Sequence, residues 1–93
     1  MNNIAVTNSF NGSLDFKTVP TLSKMKSSLI ISNQQAVFDL SGVSYSDNAG
    51  LGLLIYLASL AKAHKKELKF INVPKHLLEL MDSVQVRELL PIV

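Results

Sequence analysis

The amino-acid sequence predicts a small α/β domain in which helices cover mainly one face of a sheet. Three observations carry that expectation. Apolar residues switch between strand-like and helix-like spacing along the chain, in the order β-α-β-α-β-α, which implies right-handed crossovers. The first strand is half polar, which leaves one sheet face open. Finally, residues 37–66, VFDLSGVSYSDNAGLGLLIYLASLAKAHKK, read as a strand, a turn and a helix that is apolar on almost every side.

Residues 4–10 (IAVTNSF) put Ile4, Val6 and Phe10 on one side and Ala5, Thr7 and Ser9 on the other, the alternation of a strand with one covered face. Asn11-Gly12 marks a turn. Thr18 is a candidate N-cap for the helix VPTLSKMKSSLII, where Val19, Leu22, Met25, Leu29 and Ile30 fall near helical spacing. Pro20 lies in its first turn, where a missing N–H is harmless. Asn33, Gln34 and Gln35 end it.

Residues 37–40 form a short buried strand, and residues 41–48 a turn rich in Ser, Gly, Asp and Asn. Asp47 or Asn48 then caps a helix that reaches Lys66, about 28 Å long at ~1.5 Å per residue. Such a helix is the spine of the domain. Residues 68–73 (LKFINV) make a strand closed by Pro74, and residues 75–83 a helix whose apolar side is Leu77, Leu78, Leu80 and Met81. Residues 84–90 fit a last helical turn or a closing strand, and Pro91 ends either.

The 93 residues are expected to form one domain, residues 1–93, with a core that needs no staples. Hydrophobic residues make up 47% and charged residues 17%, which argues against a disordered chain. There is no cysteine, so disulfides and thiolate metal sites are excluded. The opening MNNIAVTNSF lacks the basic and apolar parts of a signal peptide, and no apolar run reaches the ~18 residues of a membrane span. A soluble, cytoplasmic protein is expected. The net charge of +2 decides little about partners.

His64 and His76 sit on different elements beside lysines, without partners at ligand spacing, so they read as solvated surface residues and no metal is expected. The carboxylates are scattered along the chain, and no nucleophile, base and oxyanion donor come together. Gly42, Gly50 and Gly52 make neither a P-loop pattern nor a GxGxxG fingerprint. Neither an enzyme nor a bound cofactor is expected. Lys62, Lys65, Lys66 and Lys69 gather at the end of the long helix, where cations complement the macrodipole. With few aromatics and no recognised motif among them, a nucleic-acid partner is not expected.

The loop entering that helix is more informative. Asp47-Asn48-Ala49-Gly50-Leu51-Gly52 places small residues in the first turn, where a partner could approach closely and four N–H groups lack helical acceptors. A helix interior loses about 1 kcal/mol per glycine relative to alanine, so two in one turn indicate a demand from packing or from contact. The residues leave open which.

Several of these segments resemble a known family. Asp39-Leu40-Ser41-Gly42-Val43, then Asp47-Asn48-Ala49-Gly50-Leu51, the long apolar helix and the strand closed by Pro74 resemble the STAS domain of sulfate transporters and anti-sigma factor antagonists. Gly12-Ser13-Leu14-Asp15 looks like the G-E-L-D that precedes that family's first helix. The likeness covers nearly the whole chain and implies the STAS fold, with a small mixed β-sheet. Within the family, the compact length and Leu/Ala-rich helix are most similar to MlaB-like members.

That resemblance implies a non-catalytic subunit that binds and stabilises the cytoplasmic, MlaF-like ATPase of an ABC-type phospholipid transporter. Through this ATPase it would sit at the inner membrane, near the permease, and support outer-membrane lipid asymmetry. The alternative is a signalling module, similar to an anti-sigma factor antagonist, that binds a kinase or anti-sigma factor. The partner-binding residues the resemblance implies are Ser46, Asp47, Asn48, Ala49, Gly50, Leu51, Gly52 and Tyr56. Asp47 would cap the helix, the glycines would permit close approach, and Leu51 and Tyr56 would flank the contact.

Two departures from the family pattern matter. The residue after the motif aspartate is Ser in the antagonists and usually Thr in MlaB-like proteins, but here it is Asn48. Without a hydroxyl there, no phosphorylation is expected, and a switch worth about −2 charge at the contact surface is missing. The N-terminus is also shorter than the family's first hairpin strand. A sheet of three or four strands is expected, with an edge able to pair with another chain and a homodimer when the partner is absent.

Overall fold

The computed structural model describes residues 6–93, so the side chains of Ile4, Ala5 and Val6 fall outside it. Three strands, β1 (Val6–Leu14), β2 (Gln35–Ser46) and β3 (Glu67–Ile71), form one sheet in the order β1-β2-β3. Helices α1 (Val19–Ser32), α2 (Asn48–Ala63) and α3 (Lys75–Ser83) follow the strands in turn. Both strand pairs are parallel, so among the described residues the sheet is not the mixed one that the resemblance implied. Parallel neighbours need a long return connection, which α1 and α2 supply.

Alternation along the strands decides where the core lies. Ala36, Phe38 and Leu40 of β2 and Leu68 and Phe70 of β3 are buried, while Val37, Asp39, Lys69 and Ile71 are half-exposed. Thr7 and Ser9 of β1 are exposed. The helices therefore cover one face, as the half-polar first strand predicts. Phe38 lies at the centre, with the Phe10 ring edge-on at 5.5 Å and the Phe70 ring at 6.1 Å between centroids. Leu53, Leu54, Leu57 and Ala61 of α2 and Leu77 and Met81 of α3 close over them.

Several boundaries differ from those the sequence suggests. Asn11-Gly12 is no turn: β1 continues to Leu14, with its register against β2 shifting between Ser9 and Asn11 and again between Gly12 and Ser13. Gly12 supplies the φ of +86° that such a bulge favours. β2 likewise runs through the expected turn, because Asn11, Gly12, Ser13 and Leu14 pair with Gly42, Val43, Tyr45 and Ser46. Small polar residues look turn-like locally, but a ladder partner overrides that preference. At the other end α2 stops at Ala63, short of Lys66.

Thr18 occupies the N-cap position of α1, but its side chain makes no capping bond. Its hydroxyl instead donates to Ser13 O and accepts from the Asp15 N–H, while Asp15 Oδ1 accepts from the N–H groups of Lys17 (3.0 Å) and Thr18 (3.2 Å). Met25, expected in the core, is 60% exposed, and Lys26 takes the buried place. The Lys26 ammonium donates to Asn8 Oδ1 at 2.6 Å and lies 5.1 Å from the Phe10 ring centroid.

Of the two readings of residues 84–90 the structure gives the helical turn, as a short 3-10 turn, Arg87–Leu89, after which Ile92 makes a parallel bridge to Phe70 beside β3. Among the described residues no helix is long and apolar enough to cross a membrane.

Candidate partner-binding site

Asp47 ties three segments together. One carboxylate oxygen accepts from the Gly50 N–H at 3.0 Å and so caps α2; the other accepts from the Phe16 N–H at 3.2 Å in the turn after β1. Its own N–H donates to Leu14 O at 3.4 Å. The first turn of α2 is thereby fixed against the end of β1. That approach leaves no room at position 50, where a Cβ would overlap the Leu14 carbonyl. Gly50 therefore answers a packing demand. Gly52 does not: a Cβ there would meet open space.

The predicted contact residues thus separate into two groups. Gly50 and Leu51 are buried inside the chain. Ser46 is half-buried and its hydroxyl is turned inward, without a partner among the described residues. Asn48, Gly52 and Tyr56 are exposed, with Ala49 half-buried beside them. They recur at every fourth residue and so lie in one stripe along the outer side of α2. The Tyr56 hydroxyl reaches Ser27 of α1 at 3.4 Å, which places the far end of the stripe at the α1–α2 groove.

Phe16 and Tyr45 extend this surface beyond what the sequence reading found. Phe16 is 64% exposed and Tyr45 56% exposed, next to the Asp47 loop on either side. Phe16 follows Asp15 directly and Tyr45 lies two residues before Asp47, and this closeness in sequence was the available signal. Exposed aromatics beside a rigid loop are the kind of anchor that interfaces use. Lys17 Nζ stands 5.9 Å from the Phe16 ring centroid.

Local hydrogen bonds favour the charged form of two carboxylates, Asp15 and Asp39. Burial pushes the Asp15 carboxyl up, but bonds from the Thr18 and Lys17 N–H groups and the Ser13 and Thr18 hydroxyls outweigh it and hold it below the usual range. Asp39 is also held low, chiefly by the Ser41 N–H, which donates to its Oδ1 at 2.9 Å. His76 is tethered as well as exposed: its Nε2–H donates to Val43 O at 3.0 Å and pins α3 to β2. Among the described residues no three His, Asp or Glu side chains gather around a point that could hold a metal ion.

No curated protein matches the chain. Among solved structures it is similar to the anti-sigma factor antagonist SpoIIAA in its unphosphorylated form, at 17% identity and a TM-score of 0.69, over 88% of this chain and 76% of that one. It is also similar to a Thermotoga maritima protein named as a candidate anti-sigma factor antagonist, at 12% identity and a TM-score of 0.84, over 99% of this chain and 80% of that one. At these identities the likeness establishes the fold, which is the STAS fold. The sequence model described as "Mlab, STAS domain" matches residues 4–91, and with this fold and this capped loop the chain belongs to that STAS family.

Proposed function

We propose that the chain is a non-catalytic STAS subunit that binds and stabilises the cytoplasmic ATPase of an ABC-type phospholipid transporter. On this reading it sits peripherally at the inner membrane and supports outer-membrane lipid asymmetry. STAS domains are generally non-catalytic binding modules, and membership of the MlaB family favours a transporter ATPase as partner. The observation that carries the reading is the exposed stripe Asn48, Gly52 and Tyr56, held rigid by Asp47 at its start. Asn48 occupies the position where a signalling member would carry its phosphorylatable hydroxyl, so the contact is constitutive.

The test is an affinity pull-down of the tagged chain from detergent-solubilised membranes of its own host, with the captured proteins identified by mass spectrometry. Recovery of an ABC ATPase together with its permease is the expected result. Recovery of a serine-protein kinase or a sigma-factor regulator in their place would contradict it and favour the signalling reading.

A further inference from the structure

The two outer edges of the sheet are treated differently. Along β3 the chain's own tail takes up open hydrogen-bonding groups: the Phe70 N–H donates to Pro91 O at 2.9 Å, and the Val93 N–H donates to Phe70 O at 3.0 Å. Along β1 no described residue pairs with the outer side. Open edges are commonly blunted by lysine, proline or a covering segment. β1 reads VTNSFNGSL, with no charge and no proline, and its one irregular stretch lies between Ser9 and Ser13.

A second observation comes from α1. Ser27 faces α2, through the Tyr56 hydroxyl, and Lys26 faces β1, through Asn8. At about 100° per residue, Leu22, Met25 and Leu29 must then fall on the flank turned away from α2, above the outer edge of β1. Met25 is 60% exposed there, and Leu22 and Leu29 are half-buried. A cleft of 340 Å³ between Asn11 and Ser13 of β1 and Thr21 and Leu22 of α1 marks the same flank as open. Among the described residues, the open strand edge and this partly exposed apolar side of α1 adjoin.

We infer that this edge pairs with the same edge of a second copy of the chain. The tail along β3 obstructs β1-to-β3 addition, the arrangement that would grow open arrays. What remains is β1 against β1, antiparallel about a two-fold axis normal to the sheet. Six strands then form one continuous sheet. Such an axis keeps both helical layers on one side, so the two α1 helices lie side by side with Met25, midway along each, close to the seam. β1 brings no charge to repel its mate, and the seam removes from water the Met25 side chain and the parts of Leu22 and Leu29 that a monomer leaves exposed. It lies across α1 from Tyr56, so it leaves the stripe on α2 free and does not depend on the ATPase reading.

A seam one strand and one helix deep falls at the small end of specific interfaces, which bury about 1,200–2,000 Å². A reversible dimer in the micromolar range is therefore expected. Sedimentation velocity of the whole chain across a concentration series tests this, with hydrogen exchange on the same samples. The expected results are a monomer–dimer equilibrium, protection of alternate β1 amides on dimerisation, and association weakened about tenfold or more in Met25→Lys. Ile31→Lys, at an exposed apolar site about 120° around α1 from Met25, is expected to leave association unchanged. Circular dichroism confirms that both variants fold. A monomer at every concentration up to the millimolar range, a dimer with unprotected β1 amides, or one indifferent to Met25→Lys would each overturn the inference.

Discussion

Position 50 shows how little freedom the motif loop has. A methyl group there runs into the Leu14 carbonyl, whereas at position 52 it points into open space. Gly50→Ala is therefore expected to destabilise the chain by about 1–3 kcal/mol, since the helix must move off β1. Gly52→Ala is expected to stabilise it by about 0.5–1 kcal/mol, through helix propensity alone. Urea unfolding of the two variants checks the contrast. The sequence reading recognised that two glycines in one turn signal a demand, but it could not assign packing to one and surface to the other. That distinction depends on a carbonyl 36 residues upstream, which no local pattern contains.

Lys26 adds a pH signature at the same scale. Burial lowers its pKa, so the unfolded chain holds that proton more tightly than the folded one. Stability from this group therefore rises as pH climbs from its folded value toward the ordinary lysine value, and is reduced below that window. Lys26→Met is expected to remove this alkaline rise while costing little at neutral pH, because one buried cation with one amide partner is replaced by an apolar chain of similar length. Denaturation midpoints measured from neutral to alkaline pH report it.

Elements were legible in kind and less so in extent. Apolar spacing located α1, α2, α3 and β3, because a helix or strand that packs on a core must show its period. The ends of β1 and β2 were misplaced, because Asn11-Gly12 and residues 41–46 carry turn-forming side chains, yet their backbone groups are satisfied by pairing with each other. Local chemistry cannot announce a partner strand so distant in sequence. The start of α2 was legible for the converse reason: an N-cap is a local device, and Asp47 fills it as its type predicts. Asp47→Ala is expected to cost about 1–2 kcal/mol, since it removes the cap of α2 and also the link to the Phe16 N–H. Thermal unfolding of this variant alongside Asn48→Ala, which loses no bond of that kind, separates the cap from a general effect of truncation.

At the scale of the molecule, the sheet acts as a platform with three distinct sides. One face is sealed by helices. One edge is closed by the chain's own tail, and the loop end presents a rigid turn with exposed aromatics and a stripe of small and polar residues. The family match spans residues 4–91, whereas the direction of the candidate surface required the fold, because only the fold sorts Gly50 and Leu51 inward from Asn48, Gly52 and Tyr56 outward. Binding of a transporter ATPase through that outward stripe is the central claim. The most direct measurement is titration of the purified ATPase with the chain and with Gly52→Arg, whose side chain enters open space and leaves the fold intact. The expected result is saturable binding by the native chain, weakened at least about a hundredfold by the arginine, in line with a loss near 3 kcal/mol at an interface centre. Equal binding by the two folded proteins, or no binding by either, would contradict the account.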